Sequence, residues 1–364
     1  MRSILTLCAL ASLVPAMTYP PAAHANPVTA TSAAPEVLPA DYIVGSWQLY
    51  RSLFMSAEGR IIDRENGSIS HSEGQGYGML IAVAAGDRQS FDALWDWTER
   101  ELMVRDDNLA AWKWDPAASP HVTDPNNATD GDILIAWALL RAWKLWGVRD
   151  HLREARAIVG DVVALATTDS RYGTVLLPGV QGFTVEDSAD GPVVNMSYWV
   201  FPAIAELGET MPEFKALNLA ASGFALLHAI DATPEKIPSD WTGIGGEFPH
   251  PAAAFAPTFG YNAVRIPLYV AWQTNTEPQL LESLQRAWGD EGRSGLAVLD
   301  VTTGTPIEPM VSPGYDAILD VIACSLGQSN SARRAKAFEP STYYASTLHI
   351  LSLMALSERY SECF

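Results

Sequence analysis

The sequence predicts a mostly helical protein with one large domain and long connections between its helices. Residues 91–102 place apolar side chains at helical spacing, and residues 133–140 are apolar throughout, as in a helix that is buried on every side. Strand-like runs are short, and the clearest are residues 173–177 and 296–301. With 364 residues, 48% of them hydrophobic, the chain can bury a single large core.

The remaining helices follow in chain order, separated by loops rich in Gly, Pro, Asn and Asp. We expect them at residues 152–167, 197–207, 212–230, 262–272 and 342–356. Several of them begin with polar or aromatic residues. This recurrence indicates either a shared ligand-binding face or ordinary N-terminal capping, and the pattern alone does not distinguish the two. The folded domain is expected from residue 41 to residue 364.

The N-terminus is typical of an export signal. Arg2 supplies a positive charge, residues 4–14 are apolar, and Ala23-His24-Ala25 matches the small-residue pattern of a cleavage site. The pattern predicts a signal peptide over residues 1–25 and a flexible lead-in over residues 26–40. We therefore expect a periplasmic or secreted protein that is not in the membrane once the signal is removed.

The charge balance and the cysteines exclude several functions. With 42 acidic and 23 basic residues, the net charge of −19 disfavours a nucleic-acid partner and suits a neutral or cationic ligand. Signal removal takes Cys8 and leaves Cys324 and Cys363, which could pair in an oxidising compartment, although the sequence does not establish this. Their spacing is not that of a metal site, so we expect neither a metal nor a cofactor.

The first segment with catalytic chemistry is residues 71–79, which read HSEGQGYGM. Glu73 lies among Gly, Gln and Tyr beside an apolar run, an environment that suits a carboxylic acid retaining its proton at neutral pH, as a general acid must. An ordinary helix start, with Glu73 favoured by the helix dipole, explains the segment equally well.

The second segment is residues 126–132, which read NNATDGD and precede the apolar run. Capping alone could account for Asp130 and Asp132. Two carboxylates ahead of a wholly apolar helix exceed what capping needs, however. A carboxylate held there by backbone N–H groups would stay ionised and could stabilise charge or bind hydroxyl groups.

Aromatic residues form the third signal. The chain has 12 Trp and 12 Tyr, and several of them lie in polar loops, where a flat sugar ring could stack on them. These are Trp112, Trp114, Tyr198, Trp199, Tyr261, Tyr343 and Tyr344. Most other Trp residues are expected in the core. Two carboxylates combined with aromatic platforms are what glycoside hydrolysis requires.

These segments resemble glycoside hydrolase family 8. Residues 72–79 resemble the segment that bears the family's general acid, and residues 128–146 fit its signature throughout. Further blocks match at residues 111–113, 195–198, 260–267 and 343–344. The resemblance extends from about residue 41 to the C-terminus and is strongest to periplasmic endoglucanases associated with bacterial cellulose synthesis.

The resemblance implies an (α/α)6 barrel that cleaves β-1,4-glucan, either cellulose or soluble cello-oligosaccharides, with inversion at the anomeric carbon. It also implies a functional link to a cellulose synthase, and a monomer is the default for a single barrel. Glu73 would be the general acid, and Asp130 would hold the distorted sugar. The substrate-binding residues implied by position are Trp112, Tyr198, Tyr261, Asn262, Arg265, Tyr343 and Tyr344.

One position departs from the family pattern. Asn262 stands where many members carry the aspartate that acts as the general base, and an amide cannot deprotonate water at neutral pH. Asp130 and Glu247 are the first alternatives for the base, followed by Asp316 and Asp240. Two other functions also remain open: hydrolysis of chitosan, xylan or mixed-linkage glucan, and glucan binding without catalysis.

Overall fold

Helices alternate with loops along the chain, and the computed structural model describes residues 39–274, 277–289, 296–328 and 337–364. The expected signal peptide and residues 26–38 of the lead-in lie outside these ranges, whereas Pro39 and Ala40 already belong to the first helix. The helices are α1 (Pro39–Phe54), α2 (Ser72–Ala84), α3 (Arg88–Glu101), α4 (Thr129–Trp146), α5 (Arg149–Leu165), α6 (Phe201–Thr210), α7 (Pro212–Ala216), α8 (Leu219–Asp231), α9 (Arg265–Trp272), α10 (Pro278–Trp288), α11 (Pro313–Ser325) and α12 (Tyr343–Arg359).

The helices form two layers, and the architecture is the (α/α)6 barrel that the resemblance implied. The inner layer contains α2, α4, α9, α11 and α12, which are buried on nearly all sides, with α6 between α4 and α9. The outer layer includes α3, α5 and α10, which bury one face each against it. No helix in the described ranges is long and apolar enough to cross a bilayer.

Short antiparallel strands lie in the connections. They are β1 (Ser70–His71), β2 (Lys113–Trp114), β3 (Thr167–Ser170), β4 (Gly173–Leu176), β5 (Val193–Val194), β6 (Thr242–Gly243), β7 (His250–Pro251), β8 (Thr258–Phe259), β9 (Ala297–Asp300) and β10 (Pro306–Pro309). β1 pairs with β2, β3 with β4, β6 with both β5 and β7, and β9 with both β8 and β10. The strand-like runs at residues 173–177 and 296–301 are thereby confirmed as β4 and β9.

Every predicted helix exists, but three boundaries differ from the prediction. The segment 197–207 starts with a 3-10 turn at Met196–Tyr198, and α6 begins only at Phe201, with a proline in its first turn. The segment 212–230 is two helices, because Asn218 adopts a left-handed conformation with φ of 52° between them. The segment 262–272 becomes helical only at Arg265.

The main chains of α2 and α4 are in close contact at two glycines. A Cβ atom at Gly76 would lie 2.6 Å from the Cβ of Leu134, and one at Gly131 would lie 2.2 Å from Ser72 Oγ. Neither position can accept a larger residue without moving a helix. This contact places the first turn of α2, with Glu73, directly beside the first turn of α4, with Asp130.

The later turns of the inner helices are joined by a second polar cluster. Arg141 of α4 pairs with Glu206 of α6 and, at 2.7 Å, with Glu358 of α12, and its guanidinium lies 4.3 Å from the centre of the Trp137 ring. The indole of Trp272 in α9 donates to Glu358 at 2.8 Å. Four inner helices are thus linked at a level several turns from the glycine contact.

The two cysteines of the expected mature chain form a disulfide. Cys324 lies near the end of α11, and Cys363 lies in a short 3-10 turn that follows α12, with their Cα atoms 6.4 Å apart. This pairing is the alternative that the sequence left open. It ties the C-terminus to an inner helix.

Candidate active site

A cleft of about 820 Å³ opens where the inner helices α2, α4, α9 and α12 begin. The structure therefore favours the shared ligand face that the polar helix starts predicted, rather than capping alone. The sequence-predicted residues that line the cleft are Glu73, Trp112, Asp130, Tyr198, Tyr261, Asn262, Arg265, Tyr343 and Tyr344. The alternative bases Glu247, Asp316 and Asp240 are not among its lining residues.

A buried arginine joins the two principal carboxylates. Arg265 is 1% exposed, and its Nη1 donates to Glu73 Oε2 at 2.5 Å and to Asp130 Oδ2 at 2.8 Å. Its Nη2 donates to Ser197 Oγ at 2.8 Å and to Asn262 Oδ1 at 3.0 Å. One guanidinium therefore fixes the positions of two acids, an amide and a hydroxyl group.

Asp130 carries a strongly perturbed carboxyl group. Burial, followed by the negative charge of Glu73, raises the pKa of Asp130 from 3.8 to about 8, against the opposing effect of Arg265. The expectation that backbone N–H groups would keep Asp130 ionised is not met: among the described residues, Gly131 N is its one backbone donor, at 2.8 Å, and burial outweighs this bond and the bond from Arg265. The shift favours the protonated form of Asp130, which lies close enough to Glu73 for the two carboxyl groups to share a proton.

Asp132 lies one residue beyond Gly131 and faces away from the cleft. It is 1% exposed and accepts the N–H of Ala110 at 2.8 Å and the side-chain amide of Asn127 at 2.8 Å. Burial raises the pKa of Asp132 from 3.8 to about 7 in spite of these two donors. Its role is structural, because it connects the start of α4 to the segment that leads into Trp112.

As pH rises from about 4 to about 8, we expect the free energy of unfolding of the Asp132→Asn variant to fall less steeply than that of the wild type. The pKa of Asp132 is higher in the folded state, so the folded protein binds this proton more tightly than the unfolded chain does. The resulting stabilisation of the fold is lost as pH rises through the pKa of Asp132 in the folded state. Asparagine does not titrate. Its amide facing Asn127 costs stability at every pH and leaves the slope unaffected. Melting temperatures at pH 4.5, 6 and 8 measure the two slopes, and equal slopes would contradict the prediction.

Asn262 has a defined amide orientation. Arg265 can only donate hydrogen bonds, so the oxygen of the Asn262 side chain must face the guanidinium, and its NH2 group points away. That NH2 group can donate to a water molecule or to a sugar hydroxyl. It cannot accept a proton, so Asn262 itself is not a base.

The other carboxylates proposed as bases lie elsewhere. Glu247 is exposed in the loop between α8 and α9, where its backbone carbonyl accepts from Arg171. Asp316 is exposed in the first turn of α11. Asp240 is buried, but its carboxylate accepts the backbone N–H of Gly260 at 3.0 Å and of Ala263 at 2.8 Å instead of facing the cleft. Geometry therefore gives none of the three direct access to a bound sugar.

Aromatic side chains line the cleft on separate elements. Trp112 is held by a hydrogen bond from its indole to Asp124 at 2.8 Å. A second aromatic group was not predicted from the sequence: Phe183 and Trp241 line the cleft with parallel rings 5.6 Å apart, and Phe255 stacks behind Trp241 at 4.6 Å. These three residues come from two loops without periodic pattern, so only their aromatic character in a polar loop could have indicated them.

Two buried hydroxyl groups in the cleft wall have no hydrogen-bond partner among the described residues. They are Ser72 Oγ and Tyr343 Oη, on side chains that are 0% and 1% exposed. A buried hydroxyl without a partner is costly.

Comparison with known proteins decides the family. Residues 22–358 match the family model described as Glycosyl hydrolases family 8. This chain belongs to glycosyl hydrolase family 8. It is therefore a glycoside hydrolase with the barrel fold of that family.

Several family 8 relatives are similar over most of the chain. A probable endoglucanase of Novacetimonas hansenii is 34% identical over 87% of this chain and 92% of its own length. An endoglucanase of Cellulomonas uda is 38% identical over 65% of each chain. Among solved structures, the endo-β-1,4-glucanase CMCax from Acetobacter xylinum superposes with a TM-score of 0.79 at 34% identity, covering 88% of this chain and 99% of that one.

Proposed function

We propose that this family 8 hydrolase is an inverting endo-β-1,4-glucanase with Glu73 as the general acid. The observation that carries the proposal is the position of Glu73 in the cleft, where Arg265 holds it beside Asp130 and the side chain remains 17% exposed. The similar proteins named endoglucanase support the substrate class. Aromatic side chains along an open cleft can stack on successive sugar rings, which suits a glucan chain that binds through its internal units rather than its ends.

In the proposed reaction, Glu73 protonates the glycosidic oxygen as the bond to the anomeric carbon breaks. That proton is the one that the Glu73–Asp130 pair shares, so Arg265 then stabilises both carboxylates, and a proton from solvent restores the pair for the next turnover. A water molecule attacks the opposite face of the sugar, which gives inversion. Asn262 can orient that water through its NH2 group without deprotonating it.

Asp130 is poorly placed to be the base for this water. Its Oδ2 and the Oε2 of Glu73 lie 2.8 Å and 2.5 Å from the same nitrogen, and these distances together fall short of about 6.5 Å, the smallest carboxyl separation usual in inverting enzymes. It is also fully buried. Within the described residues, the other carboxylates on the cleft wall are Asp63, Glu65 and Asp124, and they are the candidates to test as base.

The test is hydrolysis of neutral hydroxyethyl cellulose and of cello-oligosaccharides. We expect a rapid fall in viscosity with few new reducing ends, as internal cleavage requires, and NMR should detect the α-anomer as the first product. A β-anomer would contradict inversion, and release of only short products at constant viscosity would contradict an endo mode.

Glucan binding without catalysis is the alternative that the sequence left open because Asn262 lacks basicity, and membership of a hydrolase family weighs against it. The Asn262→Asp variant separates the two. If the wild type binds cello-oligosaccharides but cuts no β-1,4 polymer, and the variant gains activity, the binding function is correct. If the wild type cleaves chitosan or xylan faster than glucan, the proposed role of Glu73 as general acid is unaffected, and the proposed substrate class is wrong.

We infer that the mature protein is exported and works in the periplasm or outside the cell as a monomer, functionally linked to a cellulose synthase. The signal-like N-terminus supports export, and the disulfide between Cys324 and Cys363 suits an oxidising compartment. N-terminal sequencing of the exported protein should begin at Asn26. Size-exclusion chromatography with light scattering tests the monomer.

A further inference from the structure

Asp240 makes an unusual set of contacts outside the cleft. It lies in the loop between α8 and α9 and is 9% exposed. Its Oδ1 accepts three backbone N–H groups, from Gly260 at 3.0 Å, Asn262 at 3.2 Å and Ala263 at 2.8 Å. Its Oδ2 accepts the hydroxyl of Thr258 at 3.1 Å. Both oxygens are therefore occupied by donors from residues about twenty positions later in the chain.

The three N–H groups belong to the turn that leads into α9. This turn carries Asn262, and Arg265 follows at the first position of the helix. Arg265 is bound to the turn again, since its Nη2 donates to the Asn262 side chain at 3.0 Å. A single carboxylate thus fixes the backbone from which the arginine reaches Glu73 and Asp130.

Gly260 shows how closely the carboxylate fits against this turn. A Cβ atom at Gly260 would lie 2.5 Å from Asp240 Oδ2, so the position beside the carboxylate accepts only glycine without rearrangement. Asp240 and Gly260 are therefore sterically dependent on each other, which ordinary capping of a turn does not require.

We propose that Asp240 is a positioning residue for the reaction: it sets the location of Arg265, through the turn 260–263, and thereby the geometry of the Glu73–Asp130 pair. The inference rests on the proposed function for its kinetic consequence. It also assigns Asp240 a role different from that of a base, because its oxygens bind donors within the protein and it does not line the cleft.

The chain offers a graded set of variants. Asp240→Asn keeps an oxygen for the three N–H groups and can donate its new NH2 group to Thr258 Oγ1, so it preserves the positioning and removes the charge. Asp240→Ala removes all four bonds. Thr258→Val removes only the bond to Oδ2 and is the mild control.

The experiment measures kcat, KM and the pH dependence of kcat on hydroxyethyl cellulose, below the melting temperature of each variant. We expect Asp240→Ala to lower kcat about 10²-fold, the usual cost of misplacing a catalytic group by about 1 Å, with KM within about threefold and a displaced acidic limb of the pH profile. We expect Asp240→Asn and Thr258→Val to keep kcat within about fivefold of the wild type. A merely structural residue would lower the melting temperature and leave the pH profile in place.

Two results would overturn the proposal. An Asp240→Asn variant as inactive as Asp240→Ala, with activity restored by azide, would make Asp240 the base. A folded Asp240→Ala variant with wild-type kcat and pH profile would leave it without a positioning role. If Asp240→Ala does not fold, Asp240→Ser, which retains one short acceptor, replaces it.

A crystal structure of the alanine or serine variant provides a readout independent of activity. We expect Arg265 to have lost at least one of its bonds to Glu73, Asp130 and Asn262. An unchanged Arg265 would refute the positioning role even if the wild type proved inactive on every glucan, in which case only the proposed function would have failed.

Discussion

The Glu73→Gln variant should lose about 10²- to 10⁴-fold in kcat on β-1,4-glucan. Glutamine has the same shape and can still accept from Arg265 through its oxygen, but it has no proton to give to the departing sugar oxygen. A substrate with a strongly acidic leaving group, such as a dinitrophenyl cellobioside, needs no such proton. Its hydrolysis should therefore fall much less than that of the polymer.

Glu247→Gln and Asp316→Asn are the matched controls for this experiment. Each removes one carboxylate that lies outside the cleft lining, and we expect polymer hydrolysis within about twofold of the wild type. Comparable losses for Glu73→Gln on the polymer and on the activated substrate would indicate damage to the site rather than the absence of an acid. A large loss for Glu247→Gln would return that residue to the role of base.

The Arg265→Met variant should lose about 3–5 kcal/mol in free energy of unfolding near pH 8, together with most of its activity. Methionine fills part of the space but leaves the buried Asp130 and its neighbour Glu73 without a cation, which is the costly way to break a buried ion pair. The loss should be smaller at pH 5, because a carboxyl group without its cation can bind a proton there.

Urea unfolding at pH 5 and pH 8 measures both expectations. The control is Arg153→Met, which breaks exposed ion pairs of α5 with Asp150 and Glu154 and should change the free energy of unfolding by less than about 1 kcal/mol. Equal losses for the two variants, or a loss from Arg265→Met that is independent of pH, would show that Arg265 does not compensate the charges of the two acids.

Much of the fold was predictable because it depends on local pattern. The uniformly apolar residues 133–140 indicated a helix buried on all sides, and the glycine-rich run after Glu73 indicated close backbone contact. The breaks at Asn218 and before Phe201 were not visible, because a left-handed residue or a short 3-10 turn leaves the apolar spacing nearly unchanged.

The candidate site was predictable where residues follow one another in a motif and not where loops assemble it. Glu73 and Asp130 each begin a helix, so the sequence placed them at the same end of the barrel. Asp240 and Glu247 lie in one loop and look alike in sequence, yet one is buried beneath a turn and the other is exposed. Trp241 contacts Phe183 across 58 positions of sequence, a pairing that only the folded chain defines.

The glycine contact between α2 and α4 also links catalysis to the order of folding. The two helix starts that carry Glu73 and Asp130 are adjacent because the main chains of α2 and α4 touch at Gly76 and Gly131, and Arg265 then orients the two side chains. In a partly folded molecule, α2 and α4 can be helical without being packed against each other. Glu73 and Asp130 are then both present but do not lie side by side. Recovery of activity during refolding should therefore report the docking of these two helices, and should lag behind the recovery of helical structure.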